Sequence, residues 1–162
     1  MKRKIITRTS IFPAAKEEVF RRLRMLSTLQ YVASPFASFS PLSGNEDLIW
    51  REGVDFAFQF KLFSFIPLGI HKIHVVEFDE TSCRIYTNEA NTHVPVWNHH
   101  ISLQSTQTGE TRYTDEVEID AGWKTLIVYS WAKCFYAHRQ KNGSGFCDKP
   151  QRNRYNSEVS NI

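Results

Sequence analysis

The sequence predicts an α+β fold in which a curved seven-stranded antiparallel sheet surrounds one long C-terminal helix, with two short helices after the first strand. Three observations predict it. One strand-like segment is followed by two helical segments, period-two alternation then dominates residues 47–120, and helical spacing returns in 123–141. Because short polar turns join the strands, an antiparallel meander with one face to bury is expected, and the last helix is its cover.

The N-terminal part is predicted to contain one strand and two helices. Residues 4–10 alternate and are rich in Ile and Thr, which favours a strand. Pro13 stands at a favoured first-turn position, and 14–25 carries apolar residues at helical spacing. Ser27 is expected to cap a second short helix that ends at Val32. Residues 35–41, bracketed by two prolines, are predicted to be a loop.

Six further strands are predicted between residues 47 and 120. The alternation is clearest in 54–62, where five apolar side chains share one face. Ile66-Pro67-Leu68-Gly69 is typical of a turn, and the polar segments 79–82 and 105–110 are typical of hairpin loops. The six strands are predicted at 47–52, 54–62, 70–78, 83–89, 94–104 and 111–120.

The C-terminal helix is predicted over residues 123–141, after Gly122 ends the sheet. The apolar side of this helix is expected to carry Ile127, Trp131, Cys134, Phe135 and His138. Residues 1–141 are therefore predicted to form one domain, which suits a chain of 162 residues. Residues 142–162 contain few apolar side chains, so a disordered tail is expected there.

Composition limits the classes of partner. The 20 basic and 17 acidic residues are interspersed and leave a net charge of only +3, so no nucleic-acid partner is expected. No apolar stretch approaches the length of a membrane span, so no stable membrane insertion is expected. The basic N-terminus lacks the apolar run of a signal peptide, and three widely spaced cysteines form no disulfide framework. A cytoplasmic location is therefore expected, no cofactor is predicted, and a homodimer is left open.

Four motifs occur in a specific order. They are Phe12-Pro13-Ala14-Ala15-x-x-x-Val19-Phe20, Val94-x-x-Trp97-x-His99-x-Ile101, Gly109-x-Thr111-x-Tyr113-x-Asp115-x-Val117, and the helical segment WAKCFYAHRQ at 131–140. Together they resemble the START-related helix-grip superfamily, specifically its polyketide cyclase-like, ligand-binding (SRPBCC) branch. The resemblance covers residues 4–141. It implies a helix-grip fold with a cavity for lipids, polyketides, sterols or similar apolar molecules.

The last two predicted strands place a polar pair among apolar side chains. If their turn centres near Gln107, His99 lies opposite Asp115 and Trp97 lies opposite Val117, all on the inner face. Because burying an unpaired charge is costly, His99 and Asp115 are expected to form a hydrogen bond. The pair could orient the polar end of a ligand, act in general acid–base catalysis, or simply fix the strand register.

The candidate site is an apolar cavity with a few polar groups, which is the usual composition of a ligand site. No catalytic residue is assigned, although His99 and Asp115 are the candidates for one. No metal site is predicted, because neighbouring histidines such as His99 and His100 point to opposite faces. The candidate ligand-binding residues are Trp50, Phe56, Phe58, Phe60, Thr87, Glu89, Trp97, His99, Tyr113, Asp115, Trp131 and Phe135.

Three functions agree with the sequence. The first is a carrier or sensor of a small apolar or amphipathic molecule. The second is a cyclase, dehydratase or hydrolase that uses His99 with Asp115. The third is an interaction module whose core is filled and has no cavity. The absence of a strong catalytic motif favours the first.

Overall fold

The computed structural model describes residues 3–45 and 47–147. A curved antiparallel sheet surrounds the C-terminal helix, and two short helices follow the first strand. The elements are β1 (Lys4–Phe12), α1 (Lys16–Leu23), α2 (Leu26–Ala33), β2 (Ala37–Pro41), β3 (Asp55–Leu62), β4 (Ile66–Asp79), β5 (Arg84–Ala90), β6 (Val96–Ser105), β7 (Thr111–Asp120), a 3-10 turn (Gly122–Lys124) and α3 (Thr125–Cys147).

The sheet has seven strands in the order β1-β7-β6-β5-β4-β3-β2, and every pair is antiparallel. Bulges interrupt the register between Phe60 and Lys61 and between Val75 and Glu77. Since a bulge bends its strand and increases the local twist, these two positions help to curve the sheet. This arrangement confirms the helix-grip fold class that the sequence predicts.

The position of α3 leaves part of the concave face uncovered. The helix packs against β1 and β7 at one side of the sheet and against α2. Its buried residues are Thr125, Ala132, Phe135, Tyr136, Gln140 and Gly143. The inner faces of β3, β4 and β5 are therefore farther from the helix, and this is where the cavity described below lies.

The location of the second strand was predicted wrongly. β2 lies in the segment predicted as a loop, and Phe39 pairs with Phe60 of β3. Residues 47–52 form no strand, and Ile49 makes only an isolated bridge with Met25. The strand is short and ends in Pro41, which is tolerated because β2 lies at the edge of the sheet.

Two other boundaries differ from the prediction. Residues 66–69 belong to β4, and the turn precedes them at Phe63 and Ser64, which have positive φ angles. In α3, Phe135 is buried as expected, but Ile127 and Cys134 are exposed. The buried side of the helix also carries small and polar residues, such as Ala132 and Gln140, which apolar spacing alone does not indicate.

The C-terminal helix continues six residues past the predicted domain boundary at Lys141. Gly143 packs on the ring of Phe12, and the carbonyl oxygen of Phe146 accepts a hydrogen bond from Arg22 at 2.8 Å. Residues 142–147 are therefore part of the packed domain. The predicted disordered tail otherwise falls on residues 148–162, which lie outside the described residues. Within 3–45 and 47–147, no helix is long and apolar enough to cross a bilayer.

Candidate functional site

A cavity of about 420 Å³ lies between the concave face of the sheet and helices α2 and α3. Its walls are mostly apolar, and side chains of β3 to β6 form its floor. Eight of the twelve candidate residues line it: Trp50, Phe60, Thr87, Glu89, Trp97, His99, Trp131 and Phe135. The other four, Phe56, Phe58, Tyr113 and Asp115, do not line it and lie in the surrounding core or behind the wall.

Aromatic packing holds the cavity walls in place. Trp50 packs edge-on against Phe56 and Phe58, at centroid distances of 4.9 and 5.7 Å. On the helix side, Trp131 and Phe135 stack at 5.0 Å. Because these rings support one another, the space between sheet and helix is bounded by large, rigid surfaces.

A band of polar side chains crosses the otherwise apolar wall from β4 to β6. Glu89 on β5 is at its centre: one carboxylate oxygen lies 2.8 Å from His71 Nε2, and the other accepts a hydrogen bond from Thr87 at 2.7 Å. His99 Nδ1 lies 3.8 Å from the second oxygen. All four residues line the cavity, so the band presents hydrogen-bonding groups to whatever occupies it.

The predicted hydrogen bond between His99 and Asp115 is present, at 2.7 Å from Nε2 to Oδ1. The strand register is shifted by two residues from the prediction, because His99 pairs with Val117 and Ile101 pairs with Asp115. The turn centres on Thr108 instead of Gln107. A two-residue shift keeps both side chains on the inner face, so they meet as diagonal neighbours across the strands.

Asp115 is completely buried and is held by three further groups behind the cavity wall. Its carboxylate accepts hydrogen bonds from the Tyr113 hydroxyl at 3.1 Å and from the Gln140 amide at 2.9 Å. The guanidinium of Arg139 also interacts with Asp115 and Tyr113. Asp115 thus links the polar band on the sheet to α3.

The charges of the site stabilise one another. Burial opposes ionisation of Asp115 and Glu89, but the pKa of each carboxyl is lowered, by Arg139 and His99 for Asp115 and by His71 and His99 for Glu89. Burial also opposes protonation of His99, yet its hydrogen bond to Asp115 and the nearby carboxylate of Glu89 raise its pKa. The pKa of Arg139 is raised despite burial, through Tyr113 and Asp115. The two carboxylates therefore favour the charged forms of His99 and Arg139, and these in turn favour the ionised carboxylates.

Sequence reasoning missed four residues of this network: His71, Tyr136, Arg139 and Gln140. His71 could have been found, because it shares strand parity with the buried Ile73 and Val75. The helix residues carried a weaker signal, since Tyr136, Arg139, Gln140 and Gly143 follow helical spacing but are not apolar. Tyr136 accepts a hydrogen bond from Trp97 Nε1 at 3.2 Å.

The network contains side chains of the types that bind metals, but within the described ranges no three of them converge as ligands. In the same ranges, the indole nitrogen of Trp131 is a buried polar side-chain atom without a hydrogen-bond partner. The arrangement can hold a polar group by hydrogen bonds and can keep a proton on His99.

Comparison with known sequences gives one family. The model of the family described as "Domain of unknown function (DUF8410)" matches residues 10–143. No curated protein matches the sequence.

Comparison with solved structures gives matches over nearly the whole chain. Protein CV1439 from Chromobacterium violaceum has a TM-score of 0.69 at 15% identity, covering 90% of this chain and 98% of that chain. TTHA0849 from Thermus thermophilus has a TM-score of 0.66 at 11% identity, covering 89% and 97%. Ara h 8.0201 has a TM-score of 0.65 at 12% identity, covering 90% and 98%. At these identities the matches establish a shared fold.

Proposed function

We propose that this chain, which belongs to the DUF8410 family, binds a small amphipathic molecule in its internal cavity and acts as a carrier or sensor of that molecule. The cavity of about 420 Å³ carries the proposal. Its volume falls within the range of about 300–1,000 Å³ that is typical of small-molecule sites, and mostly apolar walls with a few placed polar groups are typical of them too. An interaction module whose core is filled is not consistent with a cavity of this volume.

The wall chemistry supports a ligand with an apolar body and one polar end. The body would lie against side chains such as Phe60, Ile73 and Trp97. The polar end would meet the band that contains Glu89 and His99. Lipids, isoprenoids and polyketide-like molecules have this form. Membership of the polyketide cyclase-like, ligand-binding (SRPBCC) branch is part of the proposal, and it is supported by the positions of Trp97 and His99 from its motif in the cavity wall.

The test is to recover the ligand and to block its site. Organic extraction of the purified protein, followed by mass spectrometry, should release an apolar compound. Val94→Trp should abolish its recovery, because Val94 lines the cavity and an indole ring at this position would occupy the space. Val76→Trp is the matched control, since Val76 lies on the exposed face of β4.

Both variants should first be shown to be folded by circular dichroism. Equal recovery of the compound from Val94→Trp and Val76→Trp would mean that the cavity does not hold it. No compound from the wild type, together with no thermal stabilisation by fatty alcohols, sterols, isoprenoids or aromatic polyketides, would contradict the proposal itself.

A second candidate, acid–base catalysis, is favoured by the raised pKa of a histidine that lines the cavity. His99 would act as a proton donor, because its hydrogen bond to Asp115 and the nearby carboxylate of Glu89 favour its protonated form against the effect of burial. A ligand recovered with wild-type protein would then change mass on incubation, for example by loss of water, and His99→Gln would stop this change. An unchanged ligand mass favours the carrier or sensor.

A further inference from the structure

Three connecting segments meet at one end of the sheet. The turn between β3 and β4, the loop between β5 and β6, and the segment after β7 all lie there, because antiparallel strands reverse direction alternately. The pairs Leu62 with Ile66 and Val96 with Asp120 mark this end. The hairpins between β4 and β5 and between β6 and β7 lie at the opposite end.

The cavity opens at this end. His93 and Ile127 both line the cavity and are exposed to solvent, and 67% of Ile127 is accessible. Leu62, Leu68 and Lys124, from the same segments, also line it. A ligand that enters here passes between the first turn of α3 and the turn between β3 and β4.

The segments that bound the opening carry exposed apolar side chains, which we call the mouth rim: Phe63, Phe65, Ile66, Trp123, Leu126 and Ile127. Trp123 is 77% exposed and Phe65 is 74% exposed. Lone exposed apolar residues are common, but several large ones around one opening indicate an interaction surface. Lys124 also extends its ammonium group over the Trp123 ring, 5.9 Å from its centroid.

The charged residues of these segments are all basic. Residues 61–70, 91–96 and 121–130 contain two lysines, Lys61 and Lys124, and no aspartate or glutamate. The adjoining carboxylate of Asp120 accepts a hydrogen bond from the backbone of Gly122. Aromatic and aliphatic side chains beside lysines are the composition that partitions into the interface of an anionic bilayer.

We propose that the mouth rim docks reversibly on an anionic lipid surface, so that the cavity opens towards the headgroup region. Transfer of an apolar molecule through water is unfavourable, and docking would let it pass directly between bilayer and cavity. The proposal extends the proposed function by giving the route of the ligand. The docking itself depends only on the mouth rim.

Vesicle co-sedimentation tests the docking. Wild-type protein should sediment with vesicles of equimolar phosphatidylcholine and phosphatidylglycerol, less with phosphatidylcholine alone, and less at high salt. The double variant Trp123→Ser/Phe65→Ser should partition at least about tenfold more weakly, because two interfacial aromatic rings are lost. The control Ile11→Ser/Leu42→Ser removes two exposed apolar residues away from the mouth and should bind as the wild type does.

Brominated phosphatidylcholine gives a second measurement. It should quench wild-type tryptophan fluorescence, and Trp123→Phe should remove most of this quenching. No sedimentation with either vesicle, or an equal loss in the control variant, would overturn the proposal. So would a wild-type dimer that Trp123→Ser/Phe65→Ser converts to a monomer in sedimentation velocity, since the mouth rim would then bind a second copy of the chain.

Separate experiments can contradict ligand binding in the cavity and docking on a lipid surface. The mouth-rim double variant should still be stabilised by a fatty alcohol added in solution, since Trp123 and Phe65 do not line the cavity. Vesicle binding without any ligand would contradict the proposed function and leave the docking intact. Ligand binding without vesicle binding would contradict the docking and leave the proposed function intact.

Discussion

His99 is held between two carboxylates, and this arrangement decides the electrostatics of the site. Nε2 lies 2.7 Å from Asp115, and Nδ1 lies 3.8 Å from Glu89. A protonated imidazole donates a hydrogen bond to Asp115 and places its positive charge close to Glu89, so it offsets the cost of keeping two carboxylates in an apolar region. Arg139 supplies the second positive charge. Each of the two carboxylates therefore has a cationic or protonatable partner within the network, and His71 is a further one beside Glu89.

The buried pair should show strong coupling. His99→Leu and Asp115→Leu should each lower the free energy of unfolding by about 3 kcal/mol, because each leaves a buried partner unsatisfied. The double variant should cost less than the sum, with an interaction energy of about 1 kcal/mol or more. Urea unfolding measures all three values.

The exposed pair His74 and Asp55 is a matched control, since its Nδ1–Oδ1 distance is also 2.7 Å. The same substitutions there should give an interaction energy below about 1 kcal/mol, because water screens exposed pairs. If the losses of stability at His99 and Asp115 are additive, the hydrogen bond between them contributes no interaction free energy to folding.

The pKa shifts predict a pH dependence of stability. Because the folded-state pKa of His99 is raised above 6.5, its contribution is full below that pH and is lost as pH rises through the raised value. The lowered pKa values of Asp115 and Glu89 act in the opposite direction: their contribution is present above 3.8 and 4.5 and is lost on acidification. Stability should therefore be highest at weakly acidic pH.

His99→Gln isolates one of these effects. The variant should lose stability less steeply than the wild type as pH rises from about 6.5 to about 9, because the group whose deprotonation is penalised is gone. Urea midpoints across this range provide the comparison. Identical alkaline slopes would show that His99 does not titrate between the two carboxylates.

Residue identity and strand parity predicted the site only in part. They placed His99 and Asp115 on the same face correctly, because a two-residue shift in register preserves parity. They could not find Arg139 and Gln140, since a polar residue on a helix is ordinarily exposed. Only the packing of α3 on β1 and β7 brings these two side chains to Asp115.

Among the elements, β2 and the end of α3 were the hardest to predict. Five residues with Ser at alternate positions and Pro at the end give little signal of a strand, although Ala37 and Phe39 are buried. The end of α3 contains two glycines, which ordinarily stop a helix. Tertiary contacts override this preference at Gly143, where only a hydrogen atom fits against Phe12.

The two glycines of α3 should respond oppositely to substitution. A Cβ at Gly143 would lie 2.9 Å from Phe12 Cζ, and that ring is itself stacked on Tyr113 at 4.6 Å. Gly143→Ala should therefore lower the free energy of unfolding by about 1–3 kcal/mol through overpacking. At Gly145 nothing lies within 4 Å, so Gly145→Ala should raise it by about 0.5–1 kcal/mol.

Thermal and urea unfolding of the two variants provide the measurement, and each serves as the control for the other. Equal stabilisation by both alanines would mean that the last turns of α3 do not pack on β1. It would then support the boundary at Lys141 that composition alone indicates.

At the scale of the whole molecule, the cavity follows from an asymmetry. α3 packs over one side of the sheet, while the bulged strands β3 and β4 curve around the other side. The order of strands and helices predicted this fold, because short connections allow few topologies. The volume left inside could not be predicted, since it depends on which side of the sheet the helix covers.

The balanced charges of the cavity predict the kind of polar end that the ligand carries. Glu89 and Asp115 are already paired with His71, His99 and Arg139, so a carboxylate end placed at the polar band would add a third buried negative charge there, at a substantial cost. A hydroxyl end adds no charge and can both donate and accept hydrogen bonds. We therefore expect 1-dodecanol to bind more tightly than laurate, although both have the same twelve-carbon chain.

Thermal unfolding at neutral pH tests this difference. A ligand at about one hundred times its dissociation constant stabilises the folded state by about 2.7 kcal/mol, so at equal concentrations the tighter ligand gives the larger shift. Dodecanol should raise the unfolding midpoint more than laurate in the wild type, and neither should do so in Val94→Trp. Stronger stabilisation by laurate would contradict this expectation, and it would mean that Arg139 or Lys124, which both line the cavity, pairs with the carboxylate of the ligand.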